Sequence, residues 1–132
     1  MWEERLAIRR LKHEYCHAVD AGNYDEWVAL FTEDGTFERD GAAPIEGRRA
    51  LREMITGEFD ESFEYTAHVV TNPVIDVDGD VATGRWYVTL VYEQPDGTVG
   101  WNQGVYEDAY RRVDGQWLHE DVFVRFGASY RS

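Results

Sequence analysis

Residues 63–92, FEYTAHVVTNPVIDVDGDVATGRWYVTLVY, carry the strongest structural signal in the chain. Both halves of this stretch are rich in β-branched and aromatic residues, a composition typical of strands. Asp78-Gly79 lies between the halves and is a common sequence for a tight hairpin turn. The stretch therefore predicts two antiparallel strands, at residues 63–77 and 81–92.

The same alternation of strand and turn continues to the C-terminal part of the chain. Residues 95–97, Pro-Asp-Gly, and residues 114–115, Asp-Gly, are two further turn signals. They predict strands at residues 98–113 and 116–126. Together the four strands form an antiparallel meander.

The N-terminal half has helical periodicity instead. Residues 2–21 predict a long helix, because apolar side chains recur every three or four residues at Ile8, Leu11, Tyr15, Ala18 and Val19. Gly22 ends it, and Asn23 is expected to cap a second, short helix that carries Trp27, Val28, Leu30 and Phe31. Residues 34–41 predict a short strand, and residues 47–59 predict a third helix.

Helices followed by a run of strands indicate an α+β fold. We predict a single domain, residues 1–132, in which the N-terminal helices pack on a curved antiparallel sheet. Such a cone-shaped α+β barrel would enclose a hydrophobic pocket. The five Trp, eight Tyr and six Phe residues either fill the core or line that pocket.

The net charge of −13 limits the partners of the chain. It argues against nucleic acid and anionic membrane surfaces, which require basic patches. An acidic surface suited to a high-salt cytoplasm and an Arg-rich proteome are both compatible with a chain whose only lysine is Lys12. With one cysteine, no signal-like N-terminus and no long apolar run, we expect a protein of the reducing cytoplasm.

Three residues are candidates for acid–base chemistry. Asp20 falls in the last turn of the first predicted helix, where a carboxylate faces the negative end of the helix dipole. Tyr15 lies on the apolar face of that helix, with a hydroxyl that could reach a cavity. His68 shares a strand face with Thr66 and Val70. Each has a structural alternative: a solvated acid, a core tyrosine and a hydrogen-bonded core histidine.

A metal or cofactor site is not expected. His13 and His17 are four residues apart on one helix face, but no motif supplies further ligands for zinc. Cys16 has no nucleophilic Cys–His arrangement around it and is expected to be inert. Neither a glycine-rich nucleotide loop nor a G-x-S-x-G elbow is present.

A second group of residues could contact substrate in the pocket. Core packing is the alternative for the aromatic members, and solvent or an ion pair for the polar ones. The candidates are Trp27, Phe31, Trp86, Tyr92, Trp101, Asn102, Tyr106 and Arg125.

Nearly the whole chain resembles the SnoaL-like branch of the nuclear transport factor 2-like superfamily. The segments that carry the resemblance are IRRLKHEYCHAVDAGNYDEWVALFTEDGTFE, TAHVVTNPVIDVDGDVATGRWYV and GVYEDAYRRVDGQWLHEDVFVR. The most similar subgroup resembles scytalone dehydratase, bile acid 7α-dehydratase and hexachlorocyclohexane dehydrochlorinase. In that subgroup a helix Asp and a strand His form a dyad, which implies this role for Asp20 and His68.

The resemblance also implies a functional role for Tyr15, five residues before the Asp, and a supporting role for Arg125. No second histidine matches the dehydratase pattern, and Asn102 is only a weak counterpart of the extra strand acid. A cofactor-independent lyase, dehydratase or isomerase acting on a small apolar cyclic or hydroxy-carbonyl substrate is the expected function. The alternative is a non-catalytic subunit resembling the β subunit of ring hydroxylases. A homo-dimer or homo-trimer is expected in either case.

Overall fold

The computed structural model describes residues 2–132 as helices packed against one sheet. The helices are α1 (Trp2–Asp20), α2 (Tyr24–Ala29), α3 (Arg48–Met54) and α4 (Asp60–Ser62), with a π-helical turn at Ile55–Phe59 between the last two. The strands are β1 (Phe31–Arg39), β2 (Ile45–Glu46), β3 (Tyr65–Asp78), β4 (Val81–Glu93), β5 (Val99–Val113) and β6 (Gln116–Arg131).

The sheet confirms the α+β class and the four-strand meander. Its strand order is β2-β1-β6-β5-β4-β3, and β3 to β6 are antiparallel neighbours. Two features differ from the predicted antiparallel barrel. Strand β1 pairs in parallel with β6, so the sheet is mixed, and the sheet is open, because β2 and β3 lie at its two edges.

Three local predictions need correction. Phe31 is the first residue of β1 and not part of α2. Asn23 precedes α2 but its side chain makes no capping hydrogen bond. The predicted helix at 47–59 is α-helical only as far as Met54, after which Ile55–Phe59 winds as a π-helix. Gly22 does end α1, in a left-handed conformation with φ of 74°.

Helix α1 lies across the concave face of the sheet and buries Ile8, Leu11, Tyr15 and Val19. Lys12 belongs to the same buried stripe. Its ammonium is fully buried and lies 2.9 Å from the equally buried carboxylate of Asp108 on β5. The Asp108 carboxylate also accepts a hydrogen bond of 2.7 Å from the Tyr110 hydroxyl. The helix is thus tied to the middle of the sheet by a buried ion pair.

The convex face of the sheet is covered by no other element of the described chain. It carries partly exposed apolar side chains, among them Tyr65, Val69, Tyr87, Val91, Trp101 and Tyr130. The expected homo-oligomer stays a prediction. In residues 2–132, none of the helices combines the length and the apolar character that crossing a bilayer requires.

The buried ion pair leads to a stability prediction. Lys12→Met should lower the free energy of unfolding by about 3–5 kcal/mol, because it leaves the charge of the buried Asp108 carboxylate uncompensated. Lys12→Met combined with Asp108→Leu should recover most of that loss, since neither charge remains. Urea denaturation of the three proteins measures both effects.

Arg49→Met is a matched control, because Arg49 is 96% exposed in its pair with Glu53. It should change the stability by less than about 1 kcal/mol. A Lys12→Met protein as stable as this control would contradict the prediction.

Candidate active site

Asp20 and His68 meet where the end of α1 crosses β3. The Asp20 Oδ1 atom lies 2.7 Å from His68 Nδ1, and Oδ2 accepts a hydrogen bond of 2.8 Å from the backbone N–H of His68. The Thr66 hydroxyl donates to Oδ1 at 2.9 Å. Three hydrogen bonds therefore hold one carboxylate. Thr66 and His68 share a strand face, so strand alternation brings both side chains to the same helix end.

The charge of Asp20 determines how the imidazole is protonated. Partial burial raises the pKa of Asp20, but the hydrogen bonds from His68 and Thr66 outweigh it and leave the pKa below its ordinary value. The carboxylate is therefore ionised near neutral pH and requires a donor at Nδ1. In neutral His68 the proton is thus on Nδ1 and the lone pair on Nε2.

A cavity of about 170 Å³ adjoins the histidine. His68, Tyr15, Asn102 and Tyr106 supply polar groups to its lining. Apolar side chains complete most of the wall, namely Val19, Trp27, Phe37, Met54, Ile55, Phe59, Phe63, Leu90, Val124 and Phe126. An apolar cavity with a few convergent polar groups is the usual form of a small-molecule site.

Tyr15 reaches this cavity from α1 and is almost completely buried. Burial raises its pKa far above the ordinary value, so the hydroxyl keeps its proton and acts as a donor. Lys12 Nζ lies 3.9 Å from the ring centroid of Tyr15 and 3.7 Å from that of Tyr106. The ammonium therefore contacts one face of each ring in an attractive cation–π arrangement.

Of the eight predicted substrate-contact residues, three line the cavity and five do not. Trp27, Asn102 and Tyr106 line the cavity. Behind this wall, Phe31 packs on Tyr15, and Trp86 donates a hydrogen bond to Tyr110.

Tyr92 also lies outside the lining and packs on Phe63, with ring centroids 5.5 Å apart. Trp101 and Arg125 lie on the convex face of the sheet. Trp101 is 41% exposed there. Arg125 forms an ion pair of 3.4 Å with Glu107. The expected contact of these two residues with substrate is at odds with this placement, because their neighbours Asn102 and Val124 occupy the concave face.

His13, His17 and Cys16 lie outside the lining of the cavity. His13 and His17 are exposed on α1. Residues 2–132 contain no group of three or more His, Cys, Asp or Glu side chains that could hold a metal ion. Burial raises the pKa of the Cys16 thiol to about 12, so the thiol is not a nucleophile near neutral pH.

Residues 1–121 match the SnoaL-like domain family. The chain belongs to the SnoaL-like family. Among curated relatives, an uncharacterized protein of Mycobacterium tuberculosis is 29% identical over 82 residues, which cover 62% of this chain and 56% of the relative. The chain thus matches little more than half the length of that protein.

Solved structures extend the likeness of this SnoaL-like protein to the whole chain. A Novosphingobium aromaticivorans protein provisionally named an aromatic ring hydroxylase is 31% identical, with a TM-score of 0.92 and coverage of 100% of this chain and 95% of that one. Another protein of that organism, provisionally named a scytalone dehydratase, is 28% identical with a TM-score of 0.87, covering 98% and 87%. A hexachlorocyclohexane dehydrochlorinase has a TM-score of 0.92 at 18% identity, covering 99% and 90%, and shows the shared fold alone.

Several residues of this SnoaL-like site were missed at the sequence level. Arg39 lies at the end of β1 and lines the cavity, beside Phe59 of the π-helical turn. Nothing in the local sequence marks these two, because they reach the cavity only through the packing of distant elements. Lys12 did carry a signal, since the only lysine of the chain lies on the apolar stripe of α1.

His119 is a further buried group next to the site. Its ring is 5.0 Å from that of Tyr15, and Nδ1 lies 3.0 Å from the backbone oxygen of Leu30. Burial, together with the nearby Lys12 ammonium, lowers the pKa of His119 well below its ordinary value, although the bond to Leu30 opposes the shift. Folding therefore requires the neutral ring.

This requirement predicts a pH-dependent loss of stability. The unfolded chain takes up a proton on His119 below a pKa of 6.5, whereas the folded chain does so only at a much lower pH. The contribution of the neutral His119 ring to the free energy of unfolding is therefore fully present above pH 6.5. It falls as the pH is lowered below that value, by up to about 1.4 kcal/mol per pH unit. Urea denaturation between pH 7.5 and 5.5 measures this slope.

His119→Phe should remove this contribution and flatten the slope, even if it is less stable at neutral pH. His17→Phe, at an exposed histidine of α1, is the control and should keep the slope. Equal slopes for the wild type and His119→Phe would show that the ring is not the group responsible.

Proposed function

We propose that this SnoaL-like protein is a cofactor-independent lyase or isomerase that uses His–Asp acid–base chemistry on a small cyclic hydroxy-carbonyl substrate. The observation that carries the proposal is the Asp20–His68 pair, joined at 2.7 Å on the wall of an apolar cavity that Tyr15 also lines. A histidine oriented by a carboxylate, with its second nitrogen available, is the usual arrangement of a general base.

In the proposed elimination, His68 Nε2 removes a proton from carbon. The electron pair of that C–H bond forms a C=C bond, and the C–O bond to the neighbouring hydroxyl breaks. The proton held by His68 then completes the departing water, so the dyad returns to its starting state. Asp20 stabilises the imidazolium formed in between, as an ionised carboxylate at Nδ1 would. Tyr15 donates a hydrogen bond to the substrate oxygen on which negative charge develops.

The size of the cavity limits the substrate. Its volume of about 170 Å³ is close to that of an apolar cavity that binds benzene, which is about 150 Å³. One six-membered ring therefore fits, whereas a steroid does not. The aromatic wall excludes water and would hold a flat or alicyclic ring.

Turnover by variants tests the proposal. A panel of monocyclic β-hydroxy-ketones is assayed by the ultraviolet absorbance of the conjugated enone formed on elimination. His68→Gln and Asp20→Asn should each lower kcat by about 10²–10⁴-fold, the usual contribution of general acid–base catalysis. Tyr15→Phe should lower kcat by about 10²-fold or more, because a donor to the developing charge is lost.

His17→Gln is the matched control, since it makes the same substitution at an exposed histidine of α1. It should leave turnover unchanged. Turnover by His68→Gln at the wild-type rate would refute the assignment of His68 as the base.

A second function is favoured by one likeness. The solved structure provisionally named an aromatic ring hydroxylase is 31% identical to this chain over its whole length. A non-catalytic subunit of that kind would bind a ring in the cavity without converting it. Binding that persists in Asp20→Asn and Tyr15→Phe, with no turnover by the wild type of any member of the panel, would favour this second function.

A further inference from the structure

The polar groups of the cavity divide between its interior and its mouth. The His68 side chain is 8% exposed and the Tyr15 residue 2% exposed, so both lie deep. The Arg39 side chain also lines the cavity, yet it is 42% exposed. Arg39 therefore lies where the cavity meets solvent, and apolar side chains such as Phe59 line the wall along with both groups.

Among the described residues, the Arg39 guanidinium forms one ion pair, which is exposed. Its Nη1 atom donates to Glu58 Oε1 at 2.6 Å, and the Glu58 side chain is 60% exposed. An exposed pair of this kind contributes little to stability, so a ligand can replace Glu58 at little cost. A guanidinium carries five N–H donors in one plane, so a single bond to Glu58 uses only part of its capacity.

The Arg39 guanidinium differs in charge from the other polar groups that line the cavity. Asn102 and the two tyrosines are uncharged donors and acceptors, and the imidazole of His68 carries no permanent charge. Among the described residues that line the cavity, Arg39 is thus the only permanently charged one. The chain has a net charge of −13, and the electrostatic field of that charge repels anions. The positive charge of Arg39 has the opposite effect at the cavity. Selectivity for an anion would therefore depend on this one side chain.

We propose that Arg39 is a specificity-determining residue that binds a carboxylate on the substrate, so that the ligand class is a monocyclic carboxylate. The planar fork of a guanidinium matches the two oxygens of a carboxylate. The ring occupies the apolar cavity, its carboxylate replaces Glu58 at the mouth, and its reacting carbons face His68. Glu58 is a competitor for Arg39 and shields the charge when the cavity is empty. The inference rests on the proposed function and adds the substrate class to it.

Binding of benzoate and its neutral analogue benzamide, measured by isothermal titration calorimetry, tests the proposal. The wild type should bind benzoate at least about tenfold more tightly than benzamide, as expected for hydrogen bonds to a charged group. Arg39→Met should remove this preference and change the Kd for benzamide much less than that for benzoate, because a neutral amide has no charge–charge attraction to the guanidinium. Glu58→Gln should tighten benzoate binding, since the competitor is neutralised.

Arg52→Met is the matched control. Arg52 is half-exposed and pairs with Asp25 outside the cavity lining, so the substitution removes the same charge from the chain. It should leave the preference for benzoate intact. A wild type with no preference for benzoate, or an Arg39→Met protein that keeps the preference, would overturn the proposal.

His68→Gln separates this inference from the proposed function. That variant should lose turnover and still bind benzoate with the preference that depends on Arg39. If turnover fails in the wild type but the preference is present, only the catalytic proposal is lost. If turnover depends on His68 but the wild type binds benzoate no more tightly than benzamide, only the proposed substrate class is refuted.

Discussion

The ion pair between Lys12 and Asp108 is the interaction on which the position of α1 depends. Both side chains are fully buried, and the ammonium lies between the rings of Tyr15 and Tyr106. Two buried charges are costly apart and tolerable only together, so the pair allows one rotation of the helix on the sheet. That rotation places Tyr15, three residues later, on the cavity wall. At the end of the helix, the three hydrogen bonds to Asp20 fix the remaining freedom.

The two anchors divide the concave face into two regions. Near Lys12 the sheet holds a packed polar cluster that includes Tyr110 and His119. Near Asp20 the wall opens into the cavity, where Leu90 pairs with His68 in the sheet and Asn102 pairs with Leu90. The residue beside the base is thus the apolar Leu90, at a position from which a polar side chain could contact His68. The chemistry of the cavity therefore depends on few groups, and each has a distinct position.

Much of this arrangement follows from periodicity in the sequence. A 3.6-residue repeat identified the inner face of α1, and a two-residue repeat placed His68 beside Thr66. The resemblance to a family then joined Asp20 to His68, which spacing alone does not show. The same two-residue rule excludes Trp101 from a face shared with Asn102, and it turns Arg125 outward between Val124 and Phe126. The sequence analysis nevertheless named these two residues as candidates for substrate contact. The structure places them on the convex face.

What periodicity does not reveal is the mouth of the cavity. Arg39 and Glu58 are 19 residues apart and meet only because α3 continues as a π-helical turn beside β1. A π-helical turn is a rare departure from regular winding that often lies at functional sites. Here it brings Ile55 and Phe59 to the cavity wall and Glu58 to the arginine. Since each of these contacts depends on the winding of one short segment, a change in that winding would alter the entrance of the cavity, whereas the hydrogen bonds between Asp20 and His68 involve α1 and β3 alone.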